Sequence, residues 1–343
     1  MKRATRIASV IVALSCPAFC RVEYSRDLDQ KLPIEAGKTI SIEHSLGDIA
    51  VHTHADRTVT IHAEIHTSGG SKEDAEQFAK SVEVLADSSS SGVSIRTRYP
   101  KGPRDVSYYV RYEITIPQDS PLAIRNSFSS VSVDGTRANV NVTTSHGSIT
   151  FHDGRGKERF ESAFGSIDLS GNVGDVEIEN TNGAVRAADV DGVLSVTDKF
   201  GEVNVKRVSG IVDVSNKYGA IRISQTRGAD VKTSFGSVKL EAVSGPVEVE
   251  DQYGSVDVSG MVQSDCRTVS IRTSFSSIRV GLGGQLDYKV SAKTSFAHIH
   301  SDFPLTVSAG KTDESVSGTI GAGKCEMTLS NSYGPIAIVK AGN

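Results

Sequence analysis

Glycine returns on a fixed beat through the middle of this chain, at positions 147, 165, 183, 201, 219, 236 and 254, in steps of 18, 18, 18, 18, 17 and 18 residues. A repeat of about this length means a stacked or radial array of one small unit, and missing it would misassign the whole fold. Each beat carries the same template. Phe164-Gly165-Ser166-Ile167, Phe200-Gly201-Glu202-Val203, Tyr218-Gly219-Ala220-Ile221, Phe235-Gly236-Ser237-Val238 and Tyr253-Gly254-Ser255-Val256 are the clear copies. His146-Gly147 and Asn182-Gly183 are weaker ones, and Ser replaces Gly after Phe128 and Phe275. Gly174, Gly192, Gly210, Gly228 and Gly245 each fall nine residues after a glycine of the first series.

Between the glycines, apolar residues come in pairs one residue apart: Ile167/Leu169, Val176/Ile178, Leu194/Val196, Val203/Val205, Val212/Val214, Ile221/Ile223, Val238/Leu240, Val247/Val249 and Val256/Val258. Alternation of period two over so short a span marks a half-buried strand. Two such strands per unit, returned by two glycine turns, make one coil of a two-sided parallel β-solenoid whose coils stack at about 4.8 Å. Glycine supplies the positive φ expected at the corners. The absence of Trp and the weight of Val, Ile, Ser, Thr and Gly suit short strands and tight turns. The fold class is therefore all-β, with coils of about eighteen residues.

The period defines four segments. Residues 1–20 read as an export signal: Lys2, Arg3 and Arg6 precede a short apolar run, Ile7 to Leu14. That run is far below the roughly 20 residues of a spanning helix, and no later stretch reaches it. Two processing routes stay open: cleavage after Ala18-Phe19-Cys20, or lipidation of Cys16 at the poor lipobox Ala13-Leu14-Ser15-Cys16. After either, Cys266 and Cys325 remain to pair, or not, in an oxidising compartment. Residues 23–125 break the period and form a mixed β head with one short helix, Ser71 to Val82, where Ser71 and Asp74 make a capping box. Strand pairing through the turn at Ala55–Arg57 is expected there. Residues 126–280 are the regular solenoid and 281–343 are irregular coils, whose last strand, Ile336 to Val339, is an edge open to self-association.

Together the Phe/Tyr/Asn-Gly rungs, the opening copy Gly47-Asp48-Ile49-Ala50-Val51 and the tail Ser317-Gly318-Thr319-Ile320-Gly321-Ala322-Gly323 resemble a known family. It is the bacterial "putative adhesin" family of β-strand repeats, a toast-rack-like domain of unknown function. The resemblance covers roughly residues 35–340. It implies an exported envelope protein, in the periplasm or at the cell surface, and it brings no catalytic residues with it.

Four sets of residues are functional candidates. Phe200, Tyr218, Phe235, Tyr253, Phe275 and Phe296 share one template position, so their rings stack along one corner, either as a structural ladder with rings folded over the turn or as a platform for sugar or peptide. Asn126, Thr144, Asn180, Asn216, Thr233, Thr273, Thr294 and Asn331 lie near that corner and suit hydrogen bonds to the turns. Outward charges make one sheet acidic and the other mixed and net basic. Asp213, Asp230 and Glu248 on the acidic sheet form either a solvated face or a cation site. In the head, His52, His62, Glu64 and His66, with His54, are either a polar sheet face or a zinc site.

A net charge of −4 gives no polybasic surface for nucleic acid. Phosphate-binding loop, nucleophile elbow and dinucleotide fingerprint are all lacking, and no cofactor is implied. The reading is a non-catalytic envelope interaction or structural module whose partner is an envelope protein or glycan. A β-helical polysaccharide-acting enzyme and a self-assembling scaffold are the rivals.

Overall fold

A computed structural model describes residues 21–101, 105–261, 267–284 and 286–341. The N-terminal part runs β1 (Val22–Pro33), β2 (Thr39–Leu46), β3 (Ile49–His54), β4 (Thr58–Gly69), α1 (Lys72–Ser81), β5 (Glu83–Ser89), β6 (Gly92–Arg98) and β7 (Ser107–Pro117). From β8 (Leu122–Phe128) and β9 (Val131–Asp134) onward the chain climbs in two-strand coils, such as Val140–His146 with Ile149–His152. First strands pair with first strands and second with second, always parallel and in register. Val142 thus lies between Ile124 and Phe160, and Ile149 between Val131 and Ile167. The β-solenoid expected from the glycine period is the fold, and the alternating pairs from Ile167/Leu169 to Val256/Val258 all point into its core.

The two sides of a coil are joined differently. One corner is the tight aromatic-Gly turn. The other contains a left-handed residue once per coil, at Gly135, Asp153, Gly171, Asp189, Arg207, Gln225, Ala242 and Gly260, followed by a short third segment that buries Val190, Val208 and Val243.

Residues 39–54 belong to the stack, which therefore starts well before residue 126. β2 and β3 are a complete coil lying directly on β8 and β9, with Ile40 opposite Leu122 and Ile49 opposite Val131. The covering role falls to residues 55–121, whose β6 and β7 pair with the free sides of β2 and β3. β4 then pairs antiparallel with β7, β1 with β4, and β5 with β6. α1 buries Ala75, Phe78 and Ala79 against this cap, and its N-cap Ser71 accepts from the Asp74 amide at 3.1 Å. The expected pairing of β3 with β4 does not occur, because β7 lies between them.

The far end is threaded out of order. The final strand, Ile336–Lys340, pairs on both sides, with Ile278–Leu282 and with Ile299–Ser301, so it is not an edge. Its coil partner Cys325–Asn331 is wedged likewise between Val269–Thr273 and Tyr288–Ser295. The last coil in sequence is thus the penultimate coil in space, and self-association through Ile336 and Ile338 loses its basis. An antiparallel pair, Asp313–Ile320 with Thr306–Ala309, extends one sheet beyond Tyr288–Ser295. Cys325 is buried; Cys16, Cys20 and Cys266 lie outside the described residues.

Coil contact explains the first glycine series better than backbone conformation does. Gly183 and Gly219 have φ of +129° and +125°, whereas Gly201, Gly236 and Gly254 are not in that region. What all share is a carbonyl from the coil below. A Cβ on Gly201 would stand 1.9 Å from the Gly183 oxygen, on Gly219 2.1 Å from that of Gly201, and on Gly254 1.9 Å from that of Gly236. Backbone cannot yield to such an overlap without separating the coils. Gly201→Ala is expected to cost about 3 kcal/mol, at the upper end for overpacking. Gly70→Ala, where a Cβ meets nothing within 4 Å, should stay within about 0.5 kcal/mol of wild type. Urea unfolding of both variants checks the contrast, and equal losses would contradict it.

Candidate functional site

The template aromatic ends each coil's first strand, as at Phe200 and Tyr218, or follows it by one to three residues, as at Phe235 and Tyr253, just before the corner. Register then places the rings directly above one another. Phe200, Tyr218, Phe235, Tyr253 and Phe275 stack with centroids 4.8–5.1 Å apart and planes within 8° of parallel. Phe296 does not follow Phe275. Tyr333, on the wedged coil, lies between them at 5.0 Å and 5.5 Å, making seven rings in one continuous ladder. A shorter run, Phe128, His146 and Phe164, precedes it at 5.0 and 4.9 Å, with Asn182 as the break. Each neighbouring pair contributes about 0.5–1.5 kcal/mol beyond burial.

The rings stay partly in solvent. Exposure along the seven runs from 37% at Tyr218 to 66% at Phe296. Their faces, however, are occupied by one another. Inserting a flat group between two rings needs about 7 Å, two contact distances of 3.5 Å, and the ladder offers about 5 Å. Stacking of sugar or peptide groups on ring faces is therefore confined to the ladder's ends. What the ladder shows to solvent along its length is a straight ridge of ring edges.

Under the ridge runs a buried polar column, one residue per coil, three positions before each glycine. The Nδ2 of Asn216 donates to the Gly201 carbonyl at 2.9 Å, that of Asn180 to Gly183 at 2.8 Å, and Thr294 Oγ1 to Gly334 at 2.8 Å. Asn331 also accepts from the Tyr333 and Gly334 amides. Asn126, Ser162, Asn216, Thr294 and Asn331 tether turns of neighbouring coils in this way, Asn180 braces its own turn, and the ring rides on the turn. His44 fills the position in the first coil, between Thr97 Oγ1 and the Val110 carbonyl, where burial lowers its pKa to about 4.

Ser162, Asp198 and Asp251 are also members, outside the set of Asn and Thr residues expected there. The spacing alone would have found them. Neither carboxylate oxygen of Asp198 has a well-formed hydrogen bond. Burial pushes its pKa up to about 6, against the opposing amides of Lys199, Phe200 and Gly201. Burial does the same to Asp251, also to about 6, although the Gln252 amide donates to it at 2.7 Å. A third buried acid, Glu158, stands in an aliphatic column between Val140 and Val176; it accepts from the Val140 amide and is pushed up to about 7.

The other candidates are dispersed. Asp213, Asp230 and Glu248 occupy consecutive rungs at one register. In-register side chains of a parallel sheet run side by side, about 4.8 Å apart, and do not converge. Lys232 lies 4.0 Å from Asp230 and Arg272 3.9 Å from Glu248. In the head, β7 separates His52 from His62, Glu64 and His66. His52 faces Asp134 at 3.6 Å, and His54 faces Asp56 at 3.6 Å. His62 is bonded to Asp29 at 2.8 Å, which raises its pKa. His66 meets Glu64 at 2.8 Å and stacks on Tyr109. Among the described residues, no three His, Cys, Asp or Glu side chains are placed to hold one metal ion. No helix among them is long and apolar enough to cross a membrane.

Comparison with known proteins places this geometry. Residues 31–339 match the model of the family described as Toastrack DUF4097. A crystal structure of a "putative cell adhesion protein" from Clostridium sporogenes aligns at 9% identity over 92% of this chain and 100% of that one, with a TM-score of 0.19. A "putative adhesin" from Bacteroides fragilis aligns at 12% identity over 69% of this chain and 96% of that one, with a TM-score of 0.38. No curated protein matches.

The buried acids set a sign for pH dependence. A carboxyl group with a folded pKa above its unfolded value of about 4 binds its proton more tightly in the folded state. Its stabilisation is complete below about pH 4 and is lost as pH rises through 6. Asp198→Asn, which places there the residue already used at 180 and 216, is expected to gain roughly 1–3 kcal/mol over wild type at pH 7 and little at pH 4. Denaturant midpoints across that range measure it. A gain of the same size at both ends would show that Asp198 is charged or solvated throughout.

Proposed function

Since the chain belongs to the Toastrack DUF4097 family, whose function is unknown, we propose that it is an exported, non-catalytic interaction module of the cell envelope, with the aromatic ridge as its contact surface. The observation that carries this reading is the ridge itself: seven large rings in one line, each a third or more exposed, where the other exposed large apolar side chains, among them Val173, Val193, Ile211 and Val307, form no stacked ladder of this length. Contiguous exposed apolar surface of this extent marks interaction sites on folded proteins. Export is supported by the basic and apolar segment at residues 2–14.

Rigidity supports the same role. A ring held between two others, on a turn tethered by a buried side chain, loses little further freedom on binding, so less of the contact energy is spent on ordering. The carboxylates of the solenoid faces favour binding over chemistry. They lie in file and are engaged by Lys232, Arg272, Arg159 and Arg186. A pair poised across a cleft, as polysaccharide hydrolysis requires, is a different arrangement.

Replacing Tyr218, Phe235 and Tyr253 together by Ser removes the middle of the ridge without touching the glycines or the column. Binding of the triple variant to isolated envelopes and to insoluble envelope polysaccharides is expected to fall at least about tenfold, a loss of 1.4 kcal/mol or more. Circular dichroism should confirm retained strand content. Undiminished binding by a folded triple variant would overturn the proposal, as would sustained release of reducing ends from the polysaccharide by the wild-type protein.

A further inference from the structure

We infer that the occupant of the seven-ring ridge is a second copy of this chain, docked antiparallel about a two-fold axis through Tyr253. The inference rests on the reading of the ridge as a contact surface and names what covers it.

Area is the first argument. Seven rings, roughly half exposed, present about 700 Å² if a whole aromatic side chain offers about 200 Å². A standard stable interface takes about 800 Å² from each partner. The ridge and its shoulders therefore match one side of a dimer. Shape is the second argument. Edges and not faces are available, so the ridge suits a partner that packs alongside it. Its shoulder is low along the middle: Ala220, Ser237, Ser255 and Ser277 follow the corner glycines or serines of four successive coils, with Glu202, paired to Arg222, at the first ring and Pro335 and His298 at the last two. A second ridge of the same pitch fits on such a shoulder, and pitch is identical by construction when the partner is the same chain. A two-fold axis makes the contact self-complementary and closed.

Charge fixes the direction. Two exposed cations flank the first rings: Lys199 precedes Phe200, and Lys217 precedes Tyr218 with its Nζ 5.5 Å from that ring. The other end places a carboxylate beside the last ring, with Lys293 behind it. Asp313 bonds the Ser295 hydroxyl beside Phe296, and Glu314 lies with His298 just past it. Pairing about Tyr253, the fourth ring of seven, places Phe200 of one copy beside Phe296 of the other. Lys199 and Lys217 then meet Asp313 of the second copy at both ends. A parallel arrangement would set like charges together instead.

Sedimentation velocity on residues 21–343, from about 1 to 300 μM, tests this over the affinity range of modest interfaces. Wild type should pass from monomer to dimer. Tyr253→Lys, which puts two charges on the axis, should weaken the dimer at least about thirtyfold. Lys199→Glu/Lys217→Glu and Asp313→Lys should each weaken it about fivefold or more, and mixing these two variants should restore it, because both ends are then complementary. A monomer throughout, a dimer indifferent to Tyr253→Lys, or no recovery on mixing overturns the pairing. The two proposals fail separately. A monomeric wild type whose envelope binding still needs the ridge refutes only the second copy as occupant. A dimer lost in Tyr253→Lys with envelope binding intact refutes only the ridge as the envelope contact.

Discussion

Everything in this molecule hangs on how closely one coil approaches the next at the glycine corner. Parallel strands stack at a spacing set by their hydrogen bonds, and the turn between them must keep that spacing. At Gly201, Gly219, Gly236 and Gly254 the turn does so by leaving no room for a Cβ, whose place is taken by the carbonyl of the coil below. Any side chain there would force the two sheets of the solenoid to splay. With the corner fixed, the residue just before it is fixed as well, and so is its ring. The ladder is thus a consequence of the close approach: rings about 5 Å apart and parallel follow from turns that are themselves superimposed.

The same constraint explains what lies beneath the ladder. Superimposed turns bury backbone carbonyls that no strand partner satisfies, and buried polar groups without partners are costly. The column from His44 and Asn126 to Asn331 answers this with one polar side chain per coil. Asn serves best, since one amide both donates and accepts, as Asn331 does. Asp198 and Asp251 keep the shape but cannot donate when ionised, and burial makes them hold their protons to a higher pH. Stability is given up at two rungs of the column, both directly under rings of the ridge.

Where residue type tracks position, the sequence was legible. Glycine at the close approach, an aromatic before it and paired aliphatics after it mark the period, the strands and the core, and Ser71 is the N-cap its spacing to Asp74 predicts. It failed where several residue types serve one position. The left-handed corner accepts Asp153, Arg207, Gln225 and Ala242 as readily as Gly171, so no residue type marks it. The wedge of the last coil between two earlier ones was hidden for a related reason. Every coil offers the same edge, so local pattern cannot say which neighbour a coil will choose. That misled the placement of both Phe296 and the final strand. The histidines failed differently: β3 and β4 are close in sequence, and only the long-range return of β7 separates them.

A solenoid has two open ends, and its sides are normally its least hazardous surface. Here the ends are guarded and the side is not. β4 to β7 extend and cover the first coil, β1 presents Glu23, Asp27, Asp29 and Lys31 at its exposed positions, and the far end carries an antiparallel pair. Charged and covered edges oppose polymerisation through the sheets. Against that background the uncharged ring ridge along one side is the surface we propose for contact. A corner ladder needed only for stability could have kept its rings folded over the turn. Exposed edges give up part of the burial energy at every coil, and the contact we propose would recover it.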